Sequence, residues 1–182
     1  EGAAALVKIE VIRTENKNPL LSGAKFQIAC DVKNPLCGKQ GATYIFGSQK
    51  GVTEEQKDQI DEAMRHYADV TKESLGCDFA DCEGAGAAGG LGYAFLSYLA
   101  GELIPGVELI LHATGLEEKM KNADVVVTGE GRLDAQTVMG KAPVGVAALA
   151  KKYNAKVIAF AGSVAPEASV CNHAGIDAFF PI

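Results

Sequence analysis

Asp124-Val-Val-Val-Thr-Gly-Glu-Gly-Arg-Leu-Asp-Ala-Gln-Thr137 decides the architecture of this chain. A valine run that is apolar on both faces suits a parallel strand covered by helices, and here it empties into a turn rich in glycine and acids. The pattern returns at Lys156–Ala161 and again at Asp177–Phe180. Between the first two lies Pro143–Tyr153, with proline in the first helical turn and Val144, Ala147 and Ala148 on one face. Strand, helix, strand, helix, strand reads as a parallel, doubly wound α/β layer. Ahead of it, helical text runs from Val107 to about Asn122 with an interruption near Gly115, and Pro105-Gly106 breaks the chain.

Nearer the amino end, Glu83-Gly-Ala-Gly-Ala-Ala-Gly-Gly90 runs into Leu91, Ala94, Phe95, Tyr98 and Leu99, which predicts a glycine loop feeding a buried apolar helix. Thr53 and Gln56 form a capping box, after which Ile60, Met64, Tyr67, Thr71 and Leu75 make a helical stripe that Gly76 ends. Asp31–Gly51 has much turn chemistry and little periodicity, so it reads as a long ordered loop. Leu6–Ile12 and Phe26–Cys30 are β-like runs divided by turn residues, and they predict a mixed or antiparallel start. The boundary falls near residues 100–106, dividing a mixed α/β segment (1–104) from the parallel layer (105–182).

The chain has 182 residues, and 17 Lys+Arg against 23 Asp+Glu leave a net charge of −6. Neither half is a basic arm, which argues against nucleic acid and anionic membranes as partners, because phosphate neutralisation needs clustered cations. The five cysteines include no C-x-x-C pair and suit reduced, cytoplasmic thiols. His66, His112 and His173 lack zinc-ligand spacing. No apolar run approaches the length needed to span a bilayer. The sequence opens without methionine and stops just after a strand, so a piece of a longer protein is expected.

Three stretches carry candidate chemistry. In open α/β sheets ligands bind beyond the carboxyl ends of strands, which makes the turn holding Glu130, Arg132 and Asp134 a site by position. Its paired carboxylates suit Mg²⁺ or a substrate hydroxyl; solvated acids in a tight turn are the plainer alternative. Gly84, Gly86 and Gly89 match G-x-G-x-x-G, with Gly90 beside them. Such a loop before a helix attracts an anion, though small residues also permit close helix packing. In the third stretch Asp31 follows an apolar run and can serve as a base or a hydroxyl-binding group, with Asn34 and Lys50 nearby; an Asx-turn into Asn34-Pro35 is the plainer alternative. Lys141, just ahead of the helix opening at Pro143, can meet a phosphate. There is no P-loop and no nucleophile elbow, and Asp134 breaks a dinucleotide fingerprint that would start at Gly129, which counts against a nicotinamide dehydrogenase.

Taken together, these motifs resemble the bacterial glycerate kinase family, type I, distinct from the larger MOFRL-type enzymes. The resemblance rests on Ala29-Cys-Asp-Val-Lys-Asn-Pro-Leu-Cys-Gly38 with Phe46-Gly-Ser-Gln-Lys-Gly51, on Gly84-Ala-Gly-Ala-Ala-Gly-Gly-Leu-Gly92, and on Thr128-Gly-Glu-Gly-Arg-Leu-Asp-Ala-Gln-Thr137 with Gly140-Lys-Ala-Pro-Val-Gly-Val-Ala147. It covers nearly the whole chain, but only about the second half of the family's length. Ser48 and Glu83 each stand where the family usually has proline, and Glu83 would repel a phosphate beside it.

The resemblance implies ATP-dependent phosphorylation of D-glycerate on two α/β domains with the active site between them. Residues 105–182 would be part of a Rossmann-like domain, and residues 1–104 part of an inserted mixed one. In that picture Asp31 orients or deprotonates the glycerate hydroxyl, and Glu130 with Asp134 hold Mg²⁺. Asn34, Lys50, Arg132, Lys141 and the amides of Gly84, Gly86, Gly89 and Gly90 bind substrate and phosphate charge. A non-catalytic α/β module that binds a small anion is the competing reading.

Overall fold

A computed structural model describes residues 2–182 of the chain. Two compact units divide it, Glu1–Ile104 and Pro105–Ile182.

In the first unit, strand β1 (Gln27–Ala29) pairs in parallel with β2 (Glu102–Ile104), in the register Gln27–Glu102, Ile28–Leu103 and Ala29–Ile104. The expected mixed or antiparallel start is therefore corrected to a parallel pair. A partner more than seventy residues downstream arrives by a long crossover, and this connection permits parallel pairing. Leu6–Ile12 is not a strand either. Ala3–Lys8 forms a 3₁₀ turn, and the segment lies on a helix: Leu6 packs into the core, His66 Nε2 hydrogen bonds Ile9 O at 2.8 Å, and Ser74 Oγ accepts from the Ile12 amide.

Helix α1 (Ala42–Phe46) interrupts the long loop, and α2 (Glu54–Leu75) follows. Both halves of the Thr53–Gln56 capping box are formed, and Gly76 ends the helix in the left-handed region. Met64 and Thr71 of the expected stripe are buried, as are Asp61, Ala63, Ala68 and Val70. Helix α3 (Leu91–Leu99) forms behind the glycine loop and contributes Tyr93, fully buried, and Leu96 to the core around Leu36, Met64 and Ala85. It is not buried throughout, since Leu91 is 53% exposed.

The second unit runs α4 (Gly106–Ala113), α5 (Leu116–Met120), β3 (Val125–Leu133), α6 (Ala142–Lys151), β4 (Lys156–Val164), α7 (Val170–His173) and β5 (Ala178–Pro181). Its three strands are parallel in the order β3-β4-β5. Val157, Ala159 and Ala161 of β4 pack with Ala147, Leu149 and Ala150 of α6 and with Cys171 and Ile176. The opposite face stays open, with Val127 61% and Phe180 49% exposed. The expected parallel α/β layer is present, and among the described residues its helices cover one face. Consecutive right-handed crossovers in a monotonic strand order fall on one face, and covering the other requires the order to reverse.

Both β3 and β4 are longer than their apolar runs. Gly129, Glu130, Gly131 and Arg132 belong to the strand and not to the turn, because β4 continues alongside and pairs Glu130 with Ala161 and Arg132 with Ser163. A Cβ at Gly129 would lie 2.5 Å from the Phe160 carbonyl, so glycine lets the two backbones approach there. No described helix is long and apolar enough to cross a membrane.

Candidate functional site

The carboxyl end of β3 gathers the second unit's candidates. Side chains alternate along a strand, so Glu130 shares a face with Val126, which packs on the core. Its carboxylate Oε1 accepts from the Thr137 hydroxyl at 2.6 Å. The chain then turns at Asp134, whose Oδ1 accepts from the Gln136 amide at 2.9 Å, while the Asp134 carbonyl accepts from the Thr137 amide at 3.1 Å. Arg132 Nε stands 3.6 Å from Asp134 Oδ2, and Lys141 Nζ 3.6 Å from Oδ1. Lys141 takes its place as the cap of α6, which Pro143 opens. Two carboxylates and two cations thus meet at one strand end.

Partial burial pushes the Asp134 carboxyl up, but the Gln136 amide and the Lys141 ammonium hold it below the ordinary carboxylate range. Asp134 stays ionised. Nearby Cys171 is buried, and burial, followed by the negative charges of Glu130 and Asp134, pushes its thiol up. It is a packed thiol.

In the first unit Asp31 is exposed just beyond β1, and Asn34 Nδ2 donates to the Gln40 carbonyl at 2.8 Å. The glycine loop touches this segment directly, since the Gly86 amide donates to the Asn34 carbonyl at 2.9 Å. A Cβ on Gly86 would lie 2.3 Å from the Pro35 carbonyl, so close packing alone demands glycine there. Gly86 and Gly90 spend their amides on protein carbonyls. Lys50 nears the loop at Gly89, its Nζ 3.7 Å from where a Cβ would stand. Glu83 does not stand unopposed beside the loop: Lys33 Nζ lies 3.4 Å from its Oε2.

Two residues that sequence reasoning missed organise these segments. Asp61 is buried, and both its carboxylate oxygens accept from the Gly38 amide, at 2.9 and 3.0 Å, which pins the loop after Asn34 to α2. An acid next to Ile60, at the edge of the apolar stripe, was the available signal. Thr137, fully buried, joins Glu130 to Asp134. Its signal was a hydroxyl one turn beyond an acid.

The acids fit Mg²⁺ in donor chemistry. This ion takes hard oxygens and commonly uses one or two carboxylates, with waters and substrate phosphates completing its shell. Thr137 engages only Oε1 of Glu130. Among the described residues no group of three or more His, Cys, Asp or Glu side chains converges as a metal cage, and these two carboxylates are what this end of β3 would offer the ion.

Parallel strands that end in a cluster of acids and cations make this an α/β protein with a candidate ligand site at the carboxyl end of its sheet. The model of the Glycerate kinase family matches residues 1–182, and the chain belongs to that family. A glycerate kinase of Bacillus subtilis (strain 168) is 45% identical over 181 residues, spanning 100% of this chain and 47% of the relative. A glycerate 2-kinase of Escherichia coli (strain K12) is 43% identical over 181 residues, 100% of this chain and 48% of the relative. A crystal structure from Salmonella typhimurium LT2, assigned as glycerate kinase 2, superposes with a TM-score of 0.85 at 40% identity, covering 100% of this chain and 46% of that one. The chain spans about half the length of the curated relatives it matches.

Proposed function

We propose that the protein carrying this sequence transfers the γ-phosphoryl group of ATP to a hydroxyl of D-glycerate, as a type I glycerate kinase. The observation that carries this reading is the cluster at the end of β3, where Arg132 and Lys141 flank Asp134 and Thr137 joins Asp134 to Glu130, in a chain of this family. Phosphoryl transfer asks little covalent chemistry of a protein; positioning and charge neutralisation supply most of the rate. In the step itself the glycerate oxygen bonds to the γ-phosphorus, the bond to the β–γ bridging oxygen breaks, and ADP leaves.

Asp31 accepts the hydroxyl proton or orients the hydroxyl, with Asn34 nearby. Lys50, with Gly84 and Gly89 of the glycine loop, meets anionic charge in the first unit. Arg132 and Lys141 do so in the second, each already held beside Asp134. Bound at Glu130 and Asp134, Mg²⁺ would supply neutralisation of phosphate charge.

An ADP-release assay on the full chain with D-glycerate and other hydroxy acids, followed by NMR of the product, tests this. The name of the Escherichia coli relative leads us to expect phosphate on oxygen 2. Absence of ADP release with D-glycerate would overturn the proposal, and thermal stabilisation by small anions without turnover would put an anion-binding module in its place.

A further inference from the structure

We propose that Thr137 is a positioning residue that sets the Glu130 carboxylate for the reaction; this rests on the kinase reading of Glu130 and Asp134. Thr137 is fully buried, at the start of a 3₁₀ turn between β3 and α6. Its hydroxyl oxygen accepts from the Asp134 amide at 3.1 Å and donates to Glu130 Oε1 at 2.6 Å. A hydroxyl has one proton. With a lone pair committed to Asp134, that proton has a defined direction, and it points at Glu130.

The backbone of Thr137 extends the same constraint. Its amide donates to the Asp134 carbonyl at 3.1 Å, and its carbonyl accepts from the Lys141 amide at 3.3 Å. One buried residue therefore sets the spacing of the strand acid, the turn acid and the lysine that caps α6. The bond to Glu130 is charge-assisted and short, the kind that restricts a carboxylate most. It leaves Oε1 of Glu130 engaged and its rotamer held, so the carboxylate need not be ordered when substrate arrives.

The experiment is a double-mutant cycle in the full chain, reading kcat and KM for glycerate together with the melting temperature. Thr137→Val keeps the shape and removes the hydroxyl; kcat should fall about 10–100-fold, the loss typical of misplaced catalytic groups. Thr137→Ser keeps the hydroxyl and should restore kcat to within about threefold. Since Thr137 acts through Glu130, adding Thr137→Val to Glu130→Gln should cost less than about twofold more. Glu130→Asp, which retains the charge but withdraws it from the hydroxyl, should match Thr137→Val and serves as the test should the valine variant not fold.

Normal kcat in Thr137→Val or in Glu130→Asp overturns the proposal, as does a full additional loss in the double variant. Normal kcat in Glu130→Gln is a different failure. It removes Glu130 from the reaction, and with it the reading of the site on which Thr137 depends.

Discussion

The amide of Gly86 donates to the carbonyl of Asn34 at 2.9 Å, so two motifs far apart in the chain share one backbone hydrogen bond. Pro35 O stands where a side chain at Gly86 would begin. Gly86→Ala should therefore force the two segments apart and destabilise the protein by about 1–3 kcal/mol, the usual cost of overpacking. Urea unfolding followed by circular dichroism measures it, and an unchanged midpoint would show that the loop yields.

Asp134 sits between Arg132 and Lys141 at 3.6 Å each, with the Gln136 amide on Oδ1. Asp134→Asn keeps the acceptor for that amide and removes the charge. Turnover of the full chain should drop about a hundredfold or more, on the scale of other losses of preorganised charge. Stability should change little, since both cations reach Asp134 from solvent at 3.6 Å and such pairs contribute about 0–1 kcal/mol. Comparable turnover in the variant and the parent would exclude Asp134 from the site.

Asp177, just ahead of β5, accepts from Lys151 at the end of α6 and from the Val157 amide of β4. These partners, Lys151 first, hold its carboxyl at about 2, against an ordinary 3.8. A depressed carboxyl stabilises the fold fully above the unfolded value and loses that contribution as pH falls toward the folded one. Asp177→Asn should thus melt below the parent at neutral pH, and the gap should close between pH 3.8 and about 2. Melting curves across that window check this; a gap independent of pH would remove the ion pair as its cause.

All five cysteines are free thiols. Burial, then the Asp61 charge, pushes the Cys37 thiol up to about 12, and Cys171 is likewise buried and raised. Only a thiolate is a good nucleophile. Iodoacetamide at mildly alkaline pH should label exposed Cys82 first and leave Cys37 and Cys171 intact in the folded protein. Peptide mass spectrometry reads the order, and early loss of Cys37 would show that the loop it sits in opens.

What could be read directly in the letters was whatever local chemistry enforces. Thr53, Gln56 and Gly76 bound α2 because a capping box and a left-handed C-cap act within one turn of chain. The valine run, Pro143 and the returning apolar run announced β3, α6 and β4 by periodicity. The acids of the β3 end were visible as unusual letters at a strand terminus.

Tertiary structure alone decided the rest. Gln27–Ala29 found its parallel partner at Glu102–Ile104, and Glu130 and Arg132 became strand residues only because β4 runs beside them. Asp61 and Thr137 gained their roles from groups that no local pattern brings near, the Gly38 amide and the Glu130 carboxylate. Periodicity and capping are set by bonds spanning a few residues, whereas strand register and the orientation of a buried side chain depend on which distant backbone comes to lie against them.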